Sequence, residues 1–366
     1  MQMPVDIKAV MDEALDIDEA RKAPLSVSLY FDDTAPGDVQ AHLRQAFASP
    51  SPNVRVAITY LDGRPFAPYE GDDMAVVVAG LNERVGWYAE QLRAAGVPTM
   101  VATTLPSIAG ELAEAEGSPI PDGDLVAPRR PRPAPAAPEE GADADGAPAP
   151  AEEPEEPEEP EEPWALDEEA ADSLDERMGG WIVDACPEKR LALALAFPFV
   201  RRPLALECVN ATSLQNAAVG FLPIIKGADM PVMTLNQVKM VLMIAAAHGE
   251  DMGKERVKEI VAVVCGAFGC RKLARSIVPD IPVVGWTVKG AIGYAGTQAV
   301  GRAAIDYYEH EGVMGTINDT AGAAVDAALD TAVDAVQAAV QNAKEQAAGK
   351  AAGDGPAAGS PAAAIE

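Results

Sequence analysis

The chain has 366 residues, a length that predicts two domains. Hydrophobic residues make up 48% of it, whereas aromatic residues make up 5% and there are 31 Pro and 31 Gly, so a folded core is combined with disordered sequence. The net charge of −29 is unevenly placed: residues 139–176 hold 18 acidic and no basic side chains, whereas residues 177–312 hold 15 basic and 12 acidic ones. Nucleic-acid binding needs an excess of Lys and Arg on one face, so the composition argues against that class.

Residues 1–116 predict a small α/β domain. Residues 4–21 carry apolar side chains at helical spacing. Four apolar runs that predict strands begin at Leu25, Val54, Met74 and Thr99. Helical patterns beginning at Gly37 and Asn82 lie between them. Strands that are almost continuously apolar and alternate with helices predict a parallel sheet in a three-layer α/β arrangement.

Residues 117–163 predict a disordered linker rich in Pro and Glu, ending in EEPEEPEEPEEP. Repulsion between glutamates and the fixed φ of proline favour an extended, polyproline-like chain of about 3 Å per residue. One interpretation is a passive spacer that holds two modules apart. The other is a docking strip for a basic partner.

Residues 164–316 predict a helical bundle. Small residues recur along its last helix at Ala291, Ala295 and Ala299, beside Gly293 and Gly301. Such ridges let another helix approach closely, either in a soluble bundle or in a bilayer. Residues 317–348 predict an Ala-rich amphipathic helix with a narrow coiled-coil-like stripe suited to self-association, and residues 349–366 predict a disordered tail.

Two segments of the predicted helical domain have features of membrane-binding or membrane-spanning helices. The run LALALAFPFV is flanked by basic residues, as a helix at a membrane interface would be: Lys189, Arg190, Arg201 and Arg202. Residues 277–300 are long enough to span a bilayer but include Asp280 and Lys289. The alternatives are a soluble or peripheral bundle and a membrane-inserted hairpin.

The sequence lacks the common motifs for phosphate binding, dinucleotide binding, nucleophilic catalysis and zinc binding. The turn after the first strand, FDDTAPGD, has one Gly and no Lys, so it does not form a phosphate-binding loop. The motifs GxGxxG, GxSxG and HExxH are absent and the three His residues are scattered, so we expect no catalytic residues and no cofactor. Four Cys residues without CxxC spacing, behind an acidic N-terminus, predict buried thiols in the cytoplasm and no metal site.

Polar residues follow the predicted strands at the edge where α/β proteins bind ligands: Asp32, Asp33 and Thr34 after the first, Asp62 after the second, and Thr103 and Thr104 late in the fourth. Paired acids could hold a divalent ion. The pattern loosely resembles a receiver domain, although the third strand ends in Ala79, Gly80 and Leu81 without a phosphorylatable Asp, and equally loosely a G domain without its phosphate loop. The acids are therefore either loop residues without a ligand or a degenerate ligand site.

Residues 205–312 contain four distinctive elements. They are Pro223, Asp229 and Pro231, the helix opening from Thr234 through Asn236 and Gln237 to Met240, the His248–Gly249 end, and the close from Gly301 and Arg302 to Tyr307. In these elements the segment resembles the YcjF-type, GTPase-associated bacterial domain of unknown function. The resemblance implies a helical domain often found beside or fused to GTPases and often at the inner membrane. It carries over no catalytic residues, and the GTPase would be absent here or reduced to the N-terminal domain.

Together these features predict a non-enzymatic regulatory or adaptor protein at the cytoplasmic face of the membrane. Its helical domain would anchor or oligomerise, and its α/β domain would present a binding surface. We expect a protein partner, with a GTPase among the candidates, and a homo-oligomer as a further option. The alternatives are a ligand or nucleotide sensor that uses the strand-end acids, and an integral membrane component.

Overall fold

The computed structural model describes residues 7–63, 65–129, 165–221, 229–261, 264 and 284–310. They belong to two compact units. The sheet unit takes its described residues from Leu15–Glu207 and Met243–Asp251. The helical unit takes its described residues from Met1–Ala14, Cys208–Leu242 and Met252–Glu366.

The elements follow in chain order: α1 (Ile7–Ala20), β1 (Leu25–Phe31), α2 (Gly37–Ala46), β2 (Val54–Tyr60), β3 (Met74–Val78), α3 (Val85–Ala94), β4 (Thr99–Ala102), α4 (Pro106–Ala115), β5 (Leu125–Val126), α5 (Glu168–Ala185), α6 (Arg190–Ala196), α7 (Arg201–Phe221), α8 (Asp229–Ala247), α9 (residues 254–261) and α10 (Val284–Glu309). Short 3-10 helices cover Asp122–Asp124 and Pro198–Val200. The predicted class of α/β plus α is confirmed.

The five described strands form one parallel sheet in the order β2-β1-β3-β4-β5. The central strand β1 pairs with both β2 and β3, so that Leu29 lies between Ile58 and Val76. The two-residue strand β5 was not predicted, because it lies in the segment whose Pro-rich composition indicates a linker. This strand order is that of a doubly wound fold, whose crossover connections place helices on both faces.

Each face of the sheet is covered by different helices. On one face Tyr30 and Val77 pack with Tyr88 of α3 and Ala109 of α4. Side chains of consecutive strand residues alternate between faces, so Phe31 points to the other side. There the Arg44 guanidinium of α2 lies 4.6 Å from the centre of the Phe31 ring. Helices therefore lie on both sides of the sheet, as expected for three layers.

The chain on both sides of residues 130–164 belongs to the sheet unit. The Arg129 backbone N–H donates to Ser173 Oγ of α5 at 2.9 Å, and the Leu166 N–H donates to Asp38 Oδ2 of α2 at 2.8 Å. The α5 side chain of Trp181 also donates to Asp124 Oδ1 at 3.1 Å. The sheet unit thus includes residues 117–129, which the sequence analysis assigned to the linker, and residues 165–207, which it assigned to the helical domain.

An ion pair connects α2 with α5. His42 Nε2 lies 2.7 Å from Asp175 Oδ1, and this hydrogen bond raises the pKa of His42 above its usual range despite partial burial. The stabilisation requires protonated His42. It is therefore fully present below the unfolded pKa of about 6.5 and is lost as the pH rises through the higher folded pKa.

We expect His42→Gln to reduce the free energy of unfolding by about 1 kcal/mol at most, since both side chains are partly solvated. The difference from the unmodified chain should shrink as the pH is raised above neutrality. Urea unfolding at a series of pH values measures it. A difference that stays constant with pH would show that the charge of His42 contributes nothing.

Helices α7, α8 and α10 of the helical unit enclose a buried polar network. Thr297 Oγ1 accepts from Asn216 Nδ2 of α7 at 2.9 Å and from Gln237 Nε2 of α8 at 2.8 Å, and donates to the Gly293 carbonyl at 2.7 Å. Asn236 Nδ2 donates to Asn216 Oδ1 at 2.9 Å. The hydroxyl of Thr297 therefore connects three helices.

We expect Thr297→Val to destabilise the helical unit by about 2 kcal/mol, because two buried amide groups each lose one acceptor while the side-chain shape is kept. Ser213→Ala is the matched control, since the Ser213 hydroxyl donates to the Val209 carbonyl of its own helix at 2.7 Å and joins no second helix among the described residues. It should cost less than about 1 kcal/mol. Equal losses in chemical unfolding of the two variants would contradict the connecting role of Thr297.

No helix among the described residues combines the length and apolarity needed to cross a membrane. The predicted tail helix over 317–348, the tail over 349–366, most of the linker and two of the four cysteines lie outside the described residues. The remaining thiols, Cys186 and Cys208, are buried and form no disulfide with each other. Burial and the nearby Asp73 charge raise the pKa of Cys186 to about 12.

Candidate functional site

In a sheet of this order, ligands bind outside the carboxyl ends of the strands where the connections diverge, between β1 and β3. The loop after β1 carries Asp32, Asp33 and Thr34, and the loop after β3 begins at Ala79 and Gly80. The predicted acids therefore lie at the position where a doubly wound protein would hold its ligand.

The carboxylate of Asp32 is used by the protein itself. Asp32 is 1% exposed, and its Oδ1 accepts the Thr34 N–H at 3.0 Å. Its Oδ2 accepts the Thr34 hydroxyl at 2.8 Å, the Gly80 N–H at 2.9 Å and the Asn82 N–H at 3.1 Å. These amides would otherwise be available to an anionic ligand. Asp32 thus connects the two loops that flank the crevice.

The two loops are also in backbone contact. A Cβ atom at Gly80 would lie 2.4 Å from the Ala35 nitrogen and 2.4 Å from the Thr34 carbonyl carbon. Only glycine permits an approach this close, because any side chain would collide with main-chain atoms. The loops after β1 and β3 therefore touch at the position where a ligand would approach.

The other predicted strand-end residues do not join Asp32 in one site. Asp33 and Asp62 are exposed, and Asp62 follows the edge strand β2. Thr103 is buried, and its Oγ1 accepts the Leu105 N–H at 3.0 Å. Thr104 Oγ1 is buried and has no hydrogen-bond partner among the described residues. Within that part of the chain, no three His, Cys, Asp or Glu residues are placed to hold a metal ion.

A cavity of about 380 Å³ lies instead beside β2, lined by residues 58–62 together with Pro65, Phe66 and Tyr88. The Phe66 ring meets the Tyr88 ring edge to face at 4.9 Å and the Tyr30 ring at 5.3 Å. Ile58 and Tyr60 are 46% and 47% exposed. The cavity is therefore an aromatic recess at the open edge of the sheet.

Two arginines are stacked on the aromatic walls of this cavity. The Arg44 guanidinium lies 5.8 Å from the centre of the Tyr60 ring and donates to Tyr60 Oη at 2.8 Å. The Arg84 guanidinium lies 5.3 Å from the centre of the Tyr88 ring and 4.3 Å from that of Trp87. Neither arginine forms an ion pair with a carboxylate of the described residues.

Among the described residues, β2 has no strand paired to it on this side. The Leu61 N–H donates to the Phe31 carbonyl at 2.8 Å, so the odd-numbered residues of this segment direct their backbone groups towards β1. In a parallel pair the alternate residues point away, so Ile58 and Tyr60 direct their N–H and C=O groups outwards. Such an edge can pair with an added extended chain.

The basic residues flanking the run LALALAFPFV have partners within the sheet unit. Lys189 Nζ donates to the Pro24 carbonyl at 2.7 Å, and Arg190 pairs with Glu207 at 3.1 Å. Arg201 Nε donates to the Ala194 carbonyl at 3.3 Å, and burial lowers its pKa, whereas Arg202 is exposed. The run itself is mostly buried, with the Phe197 ring 5.1 Å from that of Phe47.

The predicted small-residue ridge lies on α10 and meets α7 within the helical unit. A Cβ atom at Gly301 would lie 2.3 Å from Val209 Cγ2, and one at Gly293 would lie 2.8 Å from the Asn216 carbonyl oxygen. On the same helix Ala299 is buried and Ala295 half-buried. The side chain of Ala291 lies outside the described set.

Sequence reasoning missed the cavity beside β2. Its walls come from residues of the strand, the following loop and α3, none of which forms a motif. The one available signal was that Tyr60, Phe66, Trp87 and Tyr88 fall close together in a chain with few aromatic residues.

No protein-family model, curated protein or solved structure matches this chain. The resemblance of residues 205–312 to the YcjF-type domain therefore depends on the sequence features given above and stays a prediction.

Proposed function

We propose that the protein is a non-enzymatic adaptor whose sheet unit binds an extended segment of polypeptide at the cavity beside β2. The observation that carries the proposal is the juxtaposition of outward backbone groups at Ile58 and Tyr60 with an aromatic recess. Backbone pairing supplies affinity for any extended chain, and the recess supplies side-chain selectivity. Arg44 and Arg84 have no carboxylate partner among the described residues, which favours an acidic segment.

The alternative of a ligand or nucleotide sensor at the strand-end acids has less support. Four hydrogen bonds from the protein already occupy the Asp32 carboxylate, and Gly80 packs against the neighbouring loop. Calorimetry of the full chain with Mg²⁺ and GTP tests it. We expect no heat of binding, and a saturable signal lost in Asp33→Ala would favour the sensor.

Selection from a library of random peptides with the full chain tests the adaptor function. We expect extended acidic peptides to be enriched, and Ile58→Glu to weaken their binding by about tenfold or more, since it places a like charge at the edge. Leu214→Glu is the matched control, because Leu214 is a 64% exposed apolar residue of the helical unit. Enriched peptides that bind both variants equally would contradict a site at β2.

We propose further that the helical unit anchors or oligomerises the protein at the cytoplasmic face of the membrane. Large apolar side chains are exposed on three of its helices, at Leu214, Val232 and Tyr294. Membrane fractionation of tagged full-length protein tests this. Release by high salt is expected for peripheral docking, resistance to alkaline carbonate would indicate an integral component, and a wholly soluble protein would contradict membrane association.

A further inference from the structure

We infer that the cavity beside β2 binds the chain's own acidic segment, residues 152–163. This inference rests on the proposed peptide-binding function and names an occupant for the aromatic recess of that site. Because proline has no N–H, the segment would dock through its side chains and not by pairing along β2. The segment would compete with any partner peptide, so that the adaptor is autoinhibited.

The spacing of the segment suits one extended conformation. It reads EEPEEPEEPEEP, with a proline at every third position. A polyproline helix has three residues per turn, so in that conformation the four prolines form one ridge and the eight glutamates form the two others. The segment would thus present a ridge of prolines with a row of negative charge on each side.

The cavity offers the matching features. Proline ridges dock in grooves lined by aromatic side chains, and here Tyr60, Phe66 and Tyr88 line the recess. The guanidiniums of Arg44 and Arg84 lie 5.8 Å and 5.3 Å from the ring centres of Tyr60 and Tyr88, respectively.

The guanidiniums of Arg44 and Arg84 lie on different sides of the recess. Arg44 lies on α2, which covers the Phe31 face of the sheet, whereas Arg84 lies at the start of α3, which covers the Tyr30 face. A chain seated with its prolines in the recess would therefore place one glutamate ridge towards each arginine. The lining also contains one carboxylate, Asp62, which would oppose a glutamate placed next to it.

The segment is tethered within reach. Leu166 is bound to Asp38 in the first turn of α2, and Arg44 lies six residues further along the same helix, about 9 Å away at the helical rise. Glu162 precedes Leu166 by four residues, which span up to about 14 Å. A tether of this length gives an effective concentration of about millimolar, so weak contacts suffice for occupancy.

The test compares neutralised forms of the full chain. In one variant all eight glutamates of residues 152–163 are changed to Gln; in the control, Glu139→Gln, Glu140→Gln, Asp143→Asn and Asp145→Asn remove charge elsewhere in the same linker. The readout is the NMR signal of the Ile58 methyl group and the Tyr60 amide. We expect both signals to shift in the first variant, in Arg44→Gln/Arg84→Gln and at high salt, but not in the control. Unchanged signals in the first variant would overturn the inference.

A synthetic peptide of residues 152–163 gives an independent measurement. We expect it to bind the Gln variant about tenfold or more tightly than the unmodified chain, whose site is already occupied. Equal affinities would overturn the inference. So would signal shifts that depend on protein concentration, because they would assign the occupant to a second copy.

The two proposals fail in different ways. If library peptides bind at β2 while neutralising residues 152–163 shifts nothing, the adaptor function stands and the autoinhibition falls. If library peptides bind neither the unmodified chain nor the Gln variant, the peptide-binding function itself falls.

Discussion

Replacement of Asp32 by Ala is expected to lower the free energy of unfolding of the sheet unit by about 3 kcal/mol or more. The substitution removes the acceptor for three backbone N–H groups, at Thr34, Gly80 and Asn82. A buried donor left without a partner costs about 1 to 3 kcal/mol, and bonds to a charged acceptor are at the upper end. The loops after β1 and β3 should also separate, which hydrogen exchange at Gly80 and Asn82 would report.

Two further substitutions serve as controls for Asp32→Ala. Asp33→Ala removes an exposed carboxylate from the same loop and should change stability by no more than about 0.5 kcal/mol. Asp32→Asn keeps one acceptor oxygen and should fall between the other two. If Asp32→Ala were as stable as the unmodified chain, a structural role for this carboxylate would be wrong and a ligand-binding role would gain support.

Gly86→Ala is expected to destabilise the sheet unit by about 3 kcal/mol, although the change adds a single methyl group. Gly86 lies in the first turn of α3, where a Cβ atom would be 2.0 Å from the Ser118 carbonyl oxygen and 2.7 Å from Ala113 Cβ of α4. A backbone oxygen cannot rotate away as a side chain can, so α3 would have to move from its place on the sheet.

Gly110→Ala provides the matched comparison. Gly110 lies within α4 of the same unit, and no atom would be within 4 Å of an added Cβ. Because Ala is the better helix former, this variant should be neutral or more stable by up to about 1 kcal/mol. Thermal unfolding of both proteins measures the contrast. Similar melting temperatures for the two variants would contradict the close approach of Gly86 to the Ser118 carbonyl oxygen.

Much of the sheet unit could be predicted from the sequence, because β1, β3 and β4 are almost entirely buried and their sequences are apolar runs. The runs beginning at Leu25, Val54, Met74 and Thr99 are β1 to β4. The two-residue strand β5 has no periodicity of its own, and its position among Pro and Gly residues hid it. The apolar spacing of α5 is compatible with packing on a sheet and with packing in a helical bundle. The sequence therefore could not predict which of the two units contains α5.

The candidate site was less accessible to sequence reasoning. The sequence located Asp32 at a strand end, where an acid is compatible with either a ligand or a loop contact. Which of these holds depends on the amides of Gly80 and Asn82, which are 48 and 50 residues away in the chain. The cavity likewise depends on Tyr60 and Tyr88 coming together from separate elements, and no spacing rule connects them.

The division of the sheet unit by residues 130–164 has a consequence for synthesis on the ribosome. The five described strands emerge before α5, whose Leu174, Met178 and Ile182 are fully buried in the finished protein. At about 5 to 20 residues per second, translation of the intervening 35 residues takes about 2 to 7 s. During that interval the nascent sheet lacks the contacts of α5 with β5 and α2. The glutamates of the newly made segment would repel those of neighbouring nascent chains. This repulsion would keep the chains apart until α5 is synthesised and covers the exposed sheet surface.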